Sequence, residues 1–276
     1  EHGCTWDSSI CIGAARNGHL SCLQYAHEHG CPWDGVTCNA AAEHGHLSCL
    51  QYAHIQGCPW DVNTCAAAAG AGQLLSLQYA HLQGCAWNCT ALEGAARNGH
   101  YACLEYAYEN GCSGRAGGPL NSPAIAAAKG DHLDCLQRAS QKGCPLAGVV
   151  EAAAAHDSVT CLAYALQQGE VAKESAAELA AKQGHLRCLQ LLHESGCLLN
   201  VQVVQKAAMH GHLSCLRYLA EHSGKPAARA RAREAVLQTE LQGPDYAIAV
   251  SMQQAERLRE QIAAEAAKAA ANQRWY

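Results

Sequence analysis

Along most of the chain, apolar residues recur with the three- to four-residue spacing of short helices. The whole pattern returns every 27 residues. Residues 8–34, 35–61 and 62–88 are three successive copies. In the middle copy, two groups of apolar positions each fall on one face of a helix: Cys38, Ala41 and Ala42, then Leu47, Cys49, Leu50 and Ala53. A fixed period in this range is typical of stacked repeat proteins.

Glycines and short polar side chains mark the ends of these predicted helices. Gly45 and Gly57 stand where a left-handed turn residue would close the first and the second helix of a unit. Side chains that can cap the free N–H groups of a following helix recur at one position of the unit: Asp7, Asp34, Asp61, Asn88 and Asn200. Each unit is therefore predicted to be an antiparallel helix pair, too short to be stable without stacking on its neighbours.

One tryptophan stands near the end of each early unit: Trp6, Trp33, Trp60 and Trp87. Leu146 and Leu199 take the same place later in the chain. Because an indole buries a large area, we expect the tryptophans to form a ladder that joins each unit to its neighbour.

The run AARNGHL at residues 14–20 returns as AARNGH at 95–100, and the similarity continues through the second helix to Gly57. The unit resembles an ankyrin repeat. It departs from that family in two ways: residues 36–39, VTCN, replace the Thr-Pro-Leu-His opening, and the unit has 27 residues rather than 33. The shortfall lies where ankyrins carry a β-turn finger, so the resemblance implies an all-α, fingerless, ankyrin-like solenoid of about eight helix-turn-helix repeats.

The solenoid is predicted to span residues 1–224, with a partial repeat at 1–7 and a Gly- and Pro-rich loop insertion at 113–123. The chain begins in the register of a second helix, so we expect a further repeat before it. Residues 225–276 are predicted to form a C-terminal helical extension. Its first helix, 225–242, would cap the last repeat, and an Ala-rich amphipathic helix would follow at 246–272.

The overall charge of the chain limits its partners. The net charge is −5 and the sequence pI is near 6.3, which argues against a general nucleic-acid binder. No run of 18 apolar residues occurs, so no membrane span is predicted.

The eighteen cysteines mostly follow the repeat and share two positions on or just after the second helix. We interpret them as reduced, small core residues, which indicates an intracellular, reducing compartment, cytoplasmic or organellar. Disulfides in a secreted protein are the alternative.

The repeat pattern explains the histidines and cysteines more simply than a zinc site or a catalytic site does. Sixteen histidines accompany the cysteines, but no C-x-x-C occurs, and the Gly-His pairs recur as a turn element in which the histidine would bond locally near the start of the second helix. No G-x-S-x-G, P-loop or H-E-x-x-H motif is present. The sequence therefore predicts no enzyme and no cofactor, with a zinc or redox protein kept as an alternative.

The resemblance implies that the first helices line a concave face, where variable exposed residues select a partner. One variable position of the unit, which is Gly70 in the third repeat, gives the candidate partner-binding residues: Arg16, Glu43, Arg97, Lys129, Lys182 and Met209. The extension adds candidate contacts on its two helices: Arg229, Arg231 and Arg233, then Ile248, Met252 and Ile262. The 113–123 loop could also carry function.

The function predicted from the sequence is a non-catalytic scaffold or adaptor that binds another protein within a multi-subunit assembly. The chief alternative is an RNA-associated subunit of a ribonucleoprotein, which would use the basic arginines of the first extension helix on phosphates.

Overall fold

The computed structural model of the chain describes residues 6–113 and 122–242. Within those ranges it contains seventeen helices and no strand. The chain divides into two compact units, Glu1–Gly148 and Val149–Tyr276, and each unit is a stack of helix pairs. The predicted all-α solenoid of eight helix pairs is confirmed.

Five helix pairs form the first unit. Their first helices are α1 (Ser8–Arg16), α3 (Gly35–Glu43), α5 (Val62–Gly70), α7 (Cys89–Arg97) and α9 (Pro123–Gly130). Their second helices are α2 (Leu20–Glu28), α4 (Leu47–Ile55), α6 (Leu74–Leu82), α8 (Tyr101–Glu109) and α10 (Leu133–Gln141).

Three helix pairs and one longer helix form the second unit. The first helices are α11 (Val149–Ala155), α13 (Glu174–Gln183) and α15 (Val201–Met209), and the second helices are α12 (Val159–Gln167), α14 (Leu186–Glu194) and α16 (Leu213–His222). The longer helix is α17 (Pro226–Gln242).

The first helices begin where the sequence places their caps. The Asp34 carboxylate accepts a hydrogen bond from the backbone N–H of Val36 at 3.0 Å, which satisfies one of the free donors of α3. The same bond forms at the other predicted caps: Asp7, Asp61, Asn88 and Asn200. Between α4 and the Asp61 cap only a short connection without a strand remains, so the repeat has no finger.

The Gly-His pair at the turn joins neighbouring repeats. Gly18 has a φ of +71°, and a Cβ added there would lie 2.5 Å from the ring nitrogen Nδ1 of His46 in the next repeat. In the second unit the Nε2 atom of His212 lies 2.8 Å from the carbonyl oxygen of Lys182, one repeat earlier. The expectation of a local hydrogen bond is therefore wrong for His212, because its ring reaches back over the turn of the preceding repeat.

The first helices of each unit form an inner layer and the second helices form an outer layer. Neighbouring first helices approach each other much more closely than neighbouring second helices do. The inner layer is built from Ala, Cys and Gly, and a Cβ at Gly94 of α7 would lie only 3.1 Å from the Cα of Gly70 of α5. Because neighbouring first helices are closer together than neighbouring second helices, the stack within each unit curves so that the first helices lie on its concave side.

The tryptophans join repeats through histidine and tyrosine rather than through one another. Trp33 stacks on His27 with ring centroids 3.8 Å apart, and both rings meet the edge of Tyr52 in the next repeat. The Nδ1 atom of His27 lies 3.0 Å from the hydroxyl of Tyr52. The same triad recurs twice: His54, Trp60 and Tyr79, then His81, Trp87 and Tyr106. The predicted indole ladder is thus corrected to a ladder of mixed triads.

The helix α17 packs on α16 and α15, and its residues Ala228 and Ala232 are fully buried. It therefore covers the last helix pair, as a capping element would. At the predicted 113–123 loop, Ser122 caps α9 and Pro123 is its first residue, so the helix begins earlier than expected. Residues 1–5, 114–121 and 243–276 lie outside the described residues, and the division into 1–224 and 225–276 stays a prediction.

Candidate functional site

Four of the candidate residues lie in the inner layer of the first unit. Arg16, Glu43 and Arg97 are the last residues of α1, α3 and α7, and Lys129 is the penultimate residue of α9. The first three side chains are exposed and Lys129 is half-buried. Because these helices pack side by side, the four residues follow one edge of the inner layer. We call this edge, together with Gly70 at the end of α5, the inner edge.

Two further candidates lie in the second unit. Lys182 is the penultimate residue of α13 and Met209 is the last residue of α15. Both are exposed, and 77% of the Met209 surface is accessible. Within this unit they occupy the position that the sequence assigns to them.

A carboxylate modifies the charge of the inner edge in the first unit. Glu93 of α7 lies near Arg97 and Lys129, and its Oε1 atom is buried without a hydrogen-bond partner. Burial raises the pKa of the Glu93 carboxyl, while the Cys89 thiol and the two cations act in the opposite direction. The sequence analysis missed Glu93, although it stands where other repeats carry Ile12, Asn39 and Ala66.

The three predicted tail arginines lie on different sides of α17. Arg229 donates from its Nε atom to the carbonyl oxygen of Ser223, at the end of α16, so it helps to close that helix. Arg231 is exposed and lines a cleft of about 290 Å³ between α15 and α17. Arg233 is exposed as well. The other three predicted contacts, Ile248, Met252 and Ile262, lie outside the described residues.

The outer layer carries a feature that the sequence analysis missed. Ile55, Leu75 and Leu82, on α4 and α6, expose 72%, 68% and 75% of their surfaces. A comparison of equivalent positions could have revealed Ile55 and Leu82, because Glu28 and Glu109 stand in their places in the flanking repeats.

The cysteines act as buried donors and small core residues. The thiols that follow the second helices donate to a backbone carbonyl 24 residues earlier, as in Cys58 to Asp34 at 3.2 Å and Cys85 to Asp61 at 3.1 Å. Burial raises the pKa of Cys103 and of Cys135 to about 11, which keeps both thiols protonated at neutral pH. Cys22 is exposed.

Two kinds of feature are absent from residues 6–113 and 122–242. In these ranges no group of three or more His, Cys, Asp or Glu side chains could hold a metal ion. None of the helices there is long and apolar enough to cross a membrane.

Stacked helix pairs with exposed, variable helix ends define the class of α-solenoid repeat proteins. Residues 175–220, which cover most of α13 to α16, match a family model described as ankyrin repeats (many copies). The match confirms the predicted resemblance to ankyrin repeats over these residues. Such repeats generally mediate protein–protein interaction, and the family is typically non-catalytic. No curated protein matches the chain.

Proposed function

We propose that the protein is a non-catalytic scaffold or adaptor that binds a protein partner along the inner edge of its first unit, as part of a larger assembly. The observation that carries this proposal is the placement of its few cations. Residues 6–113 contain eight acidic side chains and only two basic ones, Arg16 and Arg97. Both stand at the inner edge, and Lys129 follows at the same position one repeat after Arg97.

Cations that follow one edge of an otherwise acidic region favour a partner with acidic side chains at a matching spacing, although Glu93 offsets part of the charge of Arg97 and Lys129. Neighbouring helices lie about 8–10 Å apart, so Arg97 and Lys129 on α7 and α9 would contact carboxylates separated by a similar distance. Complementary charge of this kind mainly sets specificity and the association rate. In the second unit, Lys182 and Met209 offer one cation and one flexible apolar side chain for further contacts.

The test is affinity capture from the native source under reducing conditions, with and without nuclease, followed by mass spectrometry. The wild-type chain should retain one dominant protein after nuclease treatment. The triple variant Arg16→Ala, Arg97→Ala, Lys129→Ala should retain about tenfold less of it, because each lost cation weakens a charged contact. A matched triple variant, Gln24→Ala, Gln51→Ala, Gln78→Ala, changes the outer layer and should bind normally.

Two outcomes would contradict this proposal. Equal capture by the cation variant and the wild type would remove the inner edge as the binding site. If the partner is no longer recovered after nuclease treatment, the RNA alternative is favoured. In that case the salt dependence of binding should fall when Arg229, Arg231 and Arg233 are replaced by Ala. The bond from Arg229 to Ser223 already gives one of these arginines a structural role.

We also infer that the protein works in a reducing, intracellular compartment. The inference is supported by the buried thiols that donate to backbone carbonyls, because such a bond requires the protonated, reduced sulfur. Purification without reductant should leave the buried thiols free until the stack is unfolded, whereas the exposed Cys22 can oxidise.

A further inference from the structure

The outer layer of the first unit carries exposed apolar side chains that the fold does not need. Ile55 is the last residue of α4 and Leu82 is the last residue of α6, whereas Glu28 and Glu109 end α2 and α8. Since a glutamate serves equally well at this position in the flanking repeats, the apolar pair is not required for stacking. Exposed apolar groups in adjacent positions mark a surface that another molecule covers.

The spacing of this surface suits a helix. Leu75 precedes Leu82 by seven residues on the same face of α6, a separation of about 10 Å along the helix axis. Ile55 lies on the neighbouring helix α4, about 8–10 Å away. A partner helix that offers apolar side chains two turns apart can contact Leu75 and Leu82 while a third contacts Ile55.

The charges around the apolar residues identify the chemistry of the partner. Helices α2, α4, α6 and α8 contain no Lys or Arg, and their charged residues are Glu28, Glu105 and Glu109. The nearest cation on a packed outer helix, Arg138 of α10, is already paired with Glu105. Beside this pair, a cleft of about 200 Å³ exposes the Asp134 carboxylate next to Tyr101, which together suit a basic side chain.

The same charges disfavour a second copy of this chain as the occupant. In a two-fold symmetric contact centred between Ile55 and Leu82, Glu28 of one copy would face Glu109 of the other. Two carboxylates brought together at an interface repel, whereas a basic partner would pair with both.

We propose that the outer face of α4 and α6, bounded by Glu28 and Glu109, is a second docking surface that binds a helical segment of another protein with an apolar stripe and basic residues at both ends. This surface is separate from the inner edge, so one unit would hold two partners of opposite charge.

The experiment uses the full chain and a fluorescently labelled peptide of about 18 residues. The peptide has leucines at i, i+3 and i+7, alanines elsewhere and two arginines at each end. Fluorescence anisotropy should show binding that weakens with salt. The double variant Ile55→Gln, Leu82→Gln should bind it roughly 10- to 100-fold more weakly, since each lost aliphatic contact removes hydrophobic burial. The variant Glu28→Gln, Glu109→Gln should bind more weakly and lose most of the salt dependence.

Matched controls separate the proposal from non-specific attraction. A peptide with glutamates at its ends should not bind, and a peptide with arginine ends but no leucines should bind weakly and equally to all variants. The variant Val171→Gln, Leu198→Gln removes two exposed apolar residues of the second unit and should leave binding unchanged. The Arg16→Ala, Arg97→Ala, Lys129→Ala variant should also bind the peptide normally, whatever its effect on the inner-edge partner.

Three results would overturn the proposal. Equal binding by the wild type and the Ile55→Gln, Leu82→Gln variant would show that the apolar residues are not the contact. Stronger binding of the glutamate-ended peptide would reverse the assigned charge. Self-association of the wild type that the same double variant abolishes, measured by light scattering, would assign the surface to a second copy.

Discussion

The two layers of the first unit solve the same stacking problem with different chemistry. First helices meet through small residues, so closely that a Cβ at Gly94 would lie only 3.1 Å from the Cα of Gly70. Second helices stand further apart and are linked by side chains, as when Trp33 and His27 meet Tyr52 of the next repeat. The inner layer is therefore limited by volume, whereas the outer layer depends on the reach and geometry of large rings.

The layers also differ in charge. The basic residues of 6–113 lie at the ends of first helices, whereas the second helices α2 to α8 carry only acidic ones. Within residues 6–113 the Arg side chains thus lie on one side of the stack only, so opposite sides can hold different partners. The variants below test the difference between the layers.

The largest effect is expected from overfilling the inner layer. Ala68 of α5 is fully buried, and Ala68→Leu should lower the free energy of unfolding by about 3 kcal/mol because its neighbours cannot move apart without breaking other contacts. The control is Ala102→Leu on α8, an exposed position where the preceding repeat has Leu75. Urea unfolding should show no loss for the control, and equal losses would contradict a volume limit confined to the inner layer.

A smaller loss is expected from shortening an outer-layer side chain. Trp60→Ala should cost about 2 kcal/mol, because the half-buried indole loses its stacking on His54 and its edge contact with Tyr79. Trp60→Leu should cost about half as much. In the second unit, Leu199 stands at the position of the tryptophan. The hydrogen bond between the histidine and the tyrosine of neighbouring repeats still forms there, between His193 and Tyr218 at 2.8 Å. An unchanged urea midpoint for Trp60→Ala would mean that the triads do not stabilise the outer layer.

One outer-layer substitution should stabilise the stack. Ser76 of α6 is 1% exposed and its hydroxyl has no hydrogen-bond partner, while the equivalent positions of the adjacent repeats are Cys49 and Cys103. Ser76→Cys removes the unsatisfied hydroxyl and should add about 1 kcal/mol to the free energy of unfolding. A measured loss of stability would show that the hydroxyl finds a partner in solution.

The smallest effect concerns the charge of the inner layer. Burial raises the pKa of Glu93 in the folded state. The contribution of Glu93 to the free energy of unfolding is therefore most favourable below its pKa in the unfolded chain, and it is lost as the pH rises through its pKa in the folded chain. Glu93→Gln should therefore stabilise the stack by about 0.5 kcal/mol at pH 7 and by nearly nothing below about pH 4. Thermal unfolding at both pH values measures the difference, and a constant offset would exclude titration of Glu93 as its source.

The sequence was sufficient for the parts of the fold that each repeat encodes locally. Helix caps such as Asp34 and turn glycines such as Gly45 are set by neighbouring residues, so their pattern could be read directly. The contacts between repeats could not be read in the same way. The pairing of Trp33 with His27 and Tyr52 depends on the offset between stacked helices, which periodicity does not specify.

The candidate site was predictable only as a position in the repeat. The sequence indicated that Arg16, Arg97 and Lys129 share one position, and the structure shows the exposure of the first two and the half-burial of the third. The sequence did not indicate that Glu93 lies near these residues with one buried carboxylate oxygen. Whether the six candidate residues bind a partner stays a prediction.

The thiols after the second helices have a consequence for measuring how this stack opens. Each of Cys31, Cys58, Cys85 and Cys112 is bonded to a backbone carbonyl 24 residues earlier, so alkylation requires that single repeat to separate. Mass spectrometry of a partially alkylated sample would then assign a separate opening rate to each repeat. The chain carries its own site-specific labels for the order in which its repeats unfold, without any engineered probe.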